Sequence, residues 1–234
     1  MSRKSKITSN IVTALLITLI MLVALFVFKG NNYLISSMML ALVSCFPFYY
    51  KYEQRKPEAR EFIIVAIMCA LAVASRVFFA FLPGFKPIIA IIIITGASFG
   101  REAGFMTGSL SALISNMFFG QGPWSVYQML LWGLIGYIAG ALNKKGLIDN
   151  KLFRYFYAII CGVMFSVLID FLTAVGSGFT MAKFIALLIP AVPFMAYYAI
   201  SNVVFLYFLY EPLMKKLNRV KLKYGLVDDK YRVY

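Results

Sequence analysis

The sequence predicts an all-α integral membrane protein. Its 234 residues are 62% hydrophobic and only 14% charged, whereas a soluble domain is about half apolar and a quarter charged. Several runs of about 16–26 residues are almost free of charge, and a bilayer core of roughly 30 Å needs about 20 helical residues to cross it. The predicted spans are 11–28, 33–50, 62–82, 87–99, 104–119, 127–142, 153–175 and 184–209.

The positions of the basic residues predict the topology. Of the 23 Lys and Arg residues, 19 fall in one alternating set of loops and tails, and only Lys29, Lys86 and Lys183 fall in the other set. Cytoplasmic loops carry the excess of positive charge, so both termini are predicted to be cytoplasmic. The net charge of +14 is therefore explained by topology, and no nucleic-acid partner is predicted.

The chain divides into four predicted parts. Residues 1–50 are predicted to form a cytoplasmic tail and a two-helix transmembrane hairpin. The first span of this hairpin is predicted to be a transmembrane helix rather than a cleaved signal peptide, because its apolar run is longer than that of a signal peptide. The hydrophilic stretch 51–61 is a cytoplasmic linker. The six-span block 62–209 carries most of the unusual polarity, and 210–234 is a basic cytoplasmic tail.

Composition argues against catalysis by this chain. There is no His, only nine acidic residues are present, and no Walker motif occurs. The sequence therefore offers few residues that could form a metal site or an acid–base pair, and no motif for ATP hydrolysis. Cys45, Cys69 and Cys161 all lie in apolar spans, which does not indicate a disulfide framework. The sequence predicts a protein that is not an enzyme and has no cofactor or metal.

Small residues recur at every fourth position in two series. Close backbone approach through such residues drives much of the helix packing in lipid. The longer, glycine-rich series predicts internal packing, whereas the alanine series is equally able to face a partner protein. The two series are Gly96, Gly100, Gly104, Gly108 and Ala112, and Ala66, Ala70 and Ala74.

Three polar residues are predicted to lie at one depth in the outer leaflet. Apart from Arg154, which begins its span and is counted with the preceding loop, Arg76 and Asp170 are the only charged residues inside spans. Each is about 8–9 Å below the outer boundary at about 1.5 Å per residue, and Asn116 ends a third span nearby. Charges in a span usually pair or mark a function. Two interpretations stay open and are compatible: an Arg76–Asp170 ion pair that locks two helices, and side chains that face a ligand cavity.

The outer loops add further polar and aromatic groups at the same level. The loop Pro83–Pro87 carries Lys86, and the turn between the spans 104–119 and 127–142 is rich in Gly, Gln and Pro. An aromatic residue in such a place is often only an interfacial anchor, so the cluster, rather than any single member, predicts a binding site. The candidates from this turn and the following helix are Gln121, Trp124, Tyr127 and Gln128.

Three stretches resemble a known family. RVFFAFLPGFKP at 76–87, the turn Gly100–Gly104 and SNMFFGQGPWSVYQM at 115–129 are similar to the substrate-binding (S) components of energy-coupling factor (ECF) transporters, which import vitamins into prokaryotes. The resemblance covers about 62–209 and implies a six-helix core. The two N-terminal spans depart from it as additions, and they return the chain to the same side of the membrane.

The resemblance implies a mechanism and partners. An S component binds its vitamin from outside, docks on a transmembrane (T) component that carries two ATPases, and topples to deliver the vitamin. The family's A-x-x-x-A motif contacts the T component and corresponds here to Ala66, Ala70 and Ala74. The Gly-Gln-Gly-Pro-Trp stretch is most similar to S components for cobalamin or its precursors, with riboflavin or another vitamin as the alternative. The implied location is the prokaryotic plasma membrane.

Other classes of function are compatible with fewer of these observations. A membrane scaffold or assembly subunit would use the outer polar cluster only as a structural network. An ion-coupled transporter is disfavoured, since proton relays usually need chains of acidic and His residues. A membrane enzyme would need a catalytic pair, which the sequence does not offer.

Overall fold

A computed structural model describes residues 33–54 and 59–224, and every regular element in this part of the chain is a helix. The predicted all-α membrane fold is confirmed. The first predicted span, 11–28, lies outside the described residues. In chain order the helices are α1 Tyr33–Gln54, α2 Ala59–Phe78, α3 Ile88–Phe99, α4 Arg101–Phe119, α5 Pro123–Asn143, α6 Lys151–Gly176 and α7 Met181–Tyr224.

The centre of the bundle is a short helix. In the described chain, α2, α5, α6 and α7 are long and apolar enough to cross a membrane. In contrast, α3 has 12 residues and is buried along almost its whole length. At about 1.5 Å per residue it is roughly 12 Å shorter than the bilayer core. Since α3 joins α4 through the single residue Gly100, a bundle that spans a bilayer would need the loop 79–87, at the other end of α3, to dip below the membrane surface.

Backbone-to-backbone contact joins α3, α4 and α5. A Cβ atom added at Gly104 would lie 2.7 Å from the carbonyl carbon of Gly136 and 2.7 Å from the Cα of Gly96. A Cβ added at Gly108 would lie 2.5 Å from the carbonyl carbon of Trp132. Contacts this short leave no room for a side chain, so the prediction that the glycine series packs helices together is confirmed for these positions.

The described N-terminal helix is part of the core. The Phe48 ring on α1 stacks on Phe105 of α4 at 4.2 Å between centroids, and the Tyr49 hydroxyl donates to Ser109 Oγ at 2.8 Å. Cys45 is only 1% exposed. The division of the chain at 51–61 stays a prediction, but α1 is anchored to the six helices that follow by specific side-chain contacts.

The last helix is much longer than the apolar run that predicted it. The span 184–209 lies within α7, which continues to Tyr224, so the predicted tail at 210 begins as helix. The prediction ended where charged residues begin, yet Lys, Arg and Leu are good helix formers. At the other end of the core, α2 stops at Phe78 rather than at residue 82.

Candidate functional site

Arg76, near the end of α2, is the centre of a polar network. Its Nη1 donates to Asn116 Oδ1 at 2.7 Å and forms a short hydrogen bond to Ser115 Oγ. Its guanidinium carbon lies 4.5 Å from the Phe119 ring centroid and 5.2 Å from that of Trp132. The predicted proximity of Arg76 and Asn116 is therefore present. Both hydrogen bonds use Nη1, so within residues 33–54 and 59–224 the N–H groups on Nε and Nη2 remain able to donate to a further partner.

Asn116 extends the network from α4 to α5. Its Nδ2 donates to Gln128 Oε1 at 2.8 Å and to Ser125 Oγ at 3.0 Å. Asn116 is only 1% exposed, and its amide oxygen and nitrogen are both used. Ser125 Oγ also accepts from the backbone N–H of Gly122 at 3.2 Å. The chain of bonds from Arg76 thus joins the C-terminal ends of α2 and α4 to the start of α5 and holds the turn between α4 and α5.

Lys86, in the loop 79–87, provides a second positively charged side chain. The Ser201 hydroxyl on α7 accepts from the Lys86 backbone N–H at 2.8 Å and donates to its carbonyl at 3.0 Å. The Lys86 ammonium lies 4.9 Å from the Phe119 ring centroid, so Lys86 and Arg76 approach the same ring. Neither cation forms a salt bridge within the described part of the chain. This corner carries positive charge that no side chain there neutralises.

Asp170 does not form the ion pair that one interpretation of the sequence favoured. Among residues 33–54 and 59–224, no salt bridge joins it to Arg76, and its Oδ2 is a buried atom without a hydrogen-bond partner. Tyr198 is within electrostatic range of both charges. Other rings pack beside it, with Phe165 5.8 Å from Trp132 and 5.6 Å from Tyr198.

The remaining predicted residues differ in their surroundings. Gln121 is on the turn and donates from Nε2 to the Leu113 carbonyl at 2.9 Å, so its amide closes the end of α4. Trp124 lies in the first turn of α5, since Pro123 begins that helix, and its ring covers Gly122. Tyr127 is buried, with 1% exposure. These contacts give each residue a structural role, and their predicted role in binding stays a prediction.

Sequence reasoning missed the aromatic wall of this site. Aromatic side chains in apolar spans look like ordinary core or lipid-facing residues, and only the central position of Trp132 in its span was a signal. The Nε1 of Trp132 is buried without a partner in the described chain, which leaves a donor available. The missed residues are Ser115, Phe119, Ser125, Trp132, Phe165, Tyr198 and Ser201.

The arrangement has defined chemical capabilities. Aromatic faces and a guanidinium plane suit a flat conjugated ring. An unpartnered carboxylate oxygen on Asp170 accepts from an N–H or O–H group, whereas Arg76 and Trp132 donate to carbonyl oxygens. Ligand sites of this kind combine apolar walls with a few placed polar groups. Together these side chains supply ring faces, hydrogen-bond donors and an acceptor.

The alanine series lies on an exposed surface of α2. Ala66, Ala70 and Ala74 are all exposed on one side of α2, whereas Met68 and Ala72 of the same helix are buried. Among residues 33–54 and 59–224, the series therefore has no helix packed against it. It forms a smooth strip on the face that lipid or another membrane helix would meet.

A family comparison matches most of this region. A sequence model described as "ECF-type riboflavin transporter, S component" matches residues 56–219. The chain belongs to this family. No curated protein and no solved structure matches it. The matched region of this S component covers α2 to α6 and most of α7, with the whole polar network, and leaves α1 outside it.

Family membership fixes the general role. This S component is a multi-pass membrane subunit of a vitamin transporter and is not an enzyme. S components act with a T component and ATPases. The match supports the S-component prediction but not the cobalamin-related subgroup that the Gly-Gln-Gly-Pro-Trp stretch favoured.

Proposed function

We propose that this S component binds riboflavin from outside the prokaryotic cell and delivers it by docking on a T component with two ATPases. The observation that carries the proposal is the family match over residues 56–219, which contains all eight predicted binding residues. The excess of basic residues on one side supports cytoplasmic termini in the plasma membrane.

The side chains around Arg76 support a flavin better than cobalamin. Riboflavin offers a flat three-ring system with two carbonyl oxygens and one ring N–H, together with a chain of hydroxyl groups. Phe119, Trp132 and Tyr198 supply ring faces, and Arg76 and Asp170 supply a donor and an acceptor. Cobalamin, which the Gly-Gln-Gly-Pro-Trp stretch favours, is a much bulkier molecule with a phosphate group. The family match fits riboflavin instead.

Ligand binding by the purified protein tests the assignment. We expect riboflavin fluorescence to be quenched on titration with the protein in detergent, without ATP, at submicromolar concentration, because stacking on aromatic side chains quenches the flavin. Cobalamin, thiamine and biotin, measured by calorimetry, serve as comparison ligands. Tight binding of cobalamin without riboflavin binding would reverse the substrate assignment. Absence of any tight ligand would favour the scaffold alternative.

The alanine strip provides a test of docking that is separate from binding. We expect Ala70→Trp to leave riboflavin affinity unchanged within about twofold and to reduce ATP-driven uptake at least tenfold. The indole would stand out from a strip whose use, as we propose, is close approach to the T-component helices. Uptake of radiolabelled riboflavin into vesicles that contain the full transporter measures the effect.

A matched control separates docking from a general disturbance of the membrane surface. Ile138 on α5 is 44% exposed, so Ile138→Trp places the same ring on another lipid-facing surface. It should leave both affinity and uptake unchanged. Equal loss of uptake in both variants, or loss of riboflavin binding in Ala70→Trp, would contradict a docking role for the strip.

A further inference from the structure

The last part of α7, residues 211–224, crosses the basic side of the bundle, and we call it the strap helix. Its start is held by Arg154 in the first turn of α6. The Arg154 guanidinium carbon lies 3.5 Å from the Tyr210 ring centroid, and its Nη2 is 3.6 Å from Glu211 Oε1. Arg154 is only 2% exposed. This contact fixes the point where α7 leaves the transmembrane part of the bundle.

The far end of the strap helix lies at the same membrane level as its start. The Arg60 side chain, one residue into α2, donates to the Tyr224 carbonyl at 3.3 Å. The Lys221 ammonium lies 5.1 Å from the ring centroid of Phe99, the last residue of α3. A straight continuation of α7 would carry residue 224 roughly 21 Å beyond residue 210. The contacts instead keep residues 221 and 224 beside the ends of α3 and α2, which indicates that the strap helix turns across the basic side of the bundle.

A proline explains the change of direction. Pro212 lies inside α7, and a proline within a helix removes one backbone hydrogen bond and crowds the preceding turn, which bends the helix. The bend therefore falls at the junction that Arg154 holds.

The strap helix has two chemically different faces. Leu217 is buried, and Leu213, Met214 and Val220 are partly buried against the core, so the apolar face is covered by the protein itself. At about 100° per residue, the exposed basic side chains fall within an arc of about 100° on the other side. These are Lys215, Lys216, Arg219 and Lys223.

We propose that the strap helix binds the headgroups of anionic phospholipids through this basic face. Four basic residues on a helix that turns across the basic side of the bundle, next to a transmembrane segment, match the pattern that attracts acidic lipids. Each such residue near an anionic surface strengthens the attraction about fivefold, and salt screening reduces the total. Because the apolar face already packs on the core, the contact is electrostatic and does not require insertion into the bilayer.

Quenching by brominated lipids tests the contact without using the transport activity. Leu222, 71% exposed beside the basic face, is replaced by Trp as a reporter in the full chain. The protein is reconstituted in phosphatidylcholine with brominated phosphatidylglycerol or brominated phosphatidylcholine as the quencher. The signal of Trp124 and Trp132 is subtracted by using the chain without the reporter. We expect the anionic quencher to act at about tenfold lower mole fraction than the neutral one.

Neutralising the basic face decides between lipid and protein as the partner. The variant K215Q/K216Q/R219Q/K223Q should lose the preference for the anionic quencher, and the control K144Q/K145Q, on an exposed loop of the same side, should keep it. Thermal unfolding in detergent should be unchanged in both. Equal quenching by the two lipids in the native strap, or an unchanged preference in the fourfold variant, would overturn the proposal. Loss of uptake with an unchanged lipid preference would likewise overturn it in favour of a protein partner.

Discussion

Replacing Arg76 by alanine is expected to lower the affinity for riboflavin about 100-fold. The substitution removes the hub of the outer polar network and the cation that faces the Phe119 and Trp132 rings. A hydrogen bond to a charged group contributes about 1.5–3 kcal/mol, and a partner left unpaired adds to the loss. In this case Asn116 would lose the donor that orients its amide oxygen. Fluorescence titration with riboflavin measures the change directly.

Two further variants decide whether the effect on binding is specific. Arg76→Lys keeps the positive charge but loses the planar guanidinium group and its parallel N–H donors. The affinity of this variant for riboflavin should therefore fall between those of the native protein and Arg76→Ala. Arg101→Ala, on the basic side of the bundle, should bind riboflavin normally. If Arg76→Ala lowers only the unfolding temperature and leaves the affinity unchanged, the network is purely structural and the scaffold alternative gains support.

Replacing Gly136 by leucine is expected to prevent correct folding. A Cβ atom at this position would lie 2.5 Å from the Gly104 carbonyl carbon and 3.0 Å from the Gly104 Cα, so two helix backbones would have to separate. Overpacking a core usually costs about 1–3 kcal/mol when side chains can adjust, and the cost is larger here because the contact is backbone. The measurement is the yield of monodisperse protein in detergent and its unfolding temperature.

A smaller substitution keeps this test informative if Gly136→Leu gives no protein. Gly136→Ala adds a single methyl group at the same contact and should lower the unfolding temperature by several degrees, in line with about 1–3 kcal/mol. Ala66→Leu adds more volume on the exposed side of α2 and should leave the unfolding temperature nearly unchanged. A normal melting temperature for Gly136→Ala would contradict the close packing of α4 on α5.

The membrane fold was largely predictable because its elements are apolar runs. The spans from 33 onwards each correspond to a described helix. The four-residue glycine spacing predicted internal packing, but not that α5 is the partner helix. The strap helix was not predicted, since its alternation of charged and apolar residues does not resemble a membrane span. Its helical form depends on Leu217 and its neighbours packing against the core, which sequence alone does not specify.

The candidate site was predictable in its polar part only. Arg76 and Asn116 were expected to be close because topology placed them at one depth, and they are in contact. The same reasoning placed Asp170 at that depth but could not say what stood between it and Arg76. In the described chain the two charges form no salt bridge, and a shared depth in the membrane does not specify which side chains meet across a bundle.

The contact between Arg60 and Tyr224 also indicates how the order of the helices along the chain could be changed. These residues are 164 positions apart in sequence, yet the chain enters α2 and leaves the strap helix within about one helix diameter. Chains whose ends meet in this way tolerate new connections between them. A short peptide joining residue 224 to residue 59, with new ends opened in the exposed loop at 144–146, should give a circularly permuted six-helix bundle that keeps the polar network around Arg76. Because this chain lacks α1 and its contacts with Phe105 and Ser109, it should unfold at a lower temperature than the native protein.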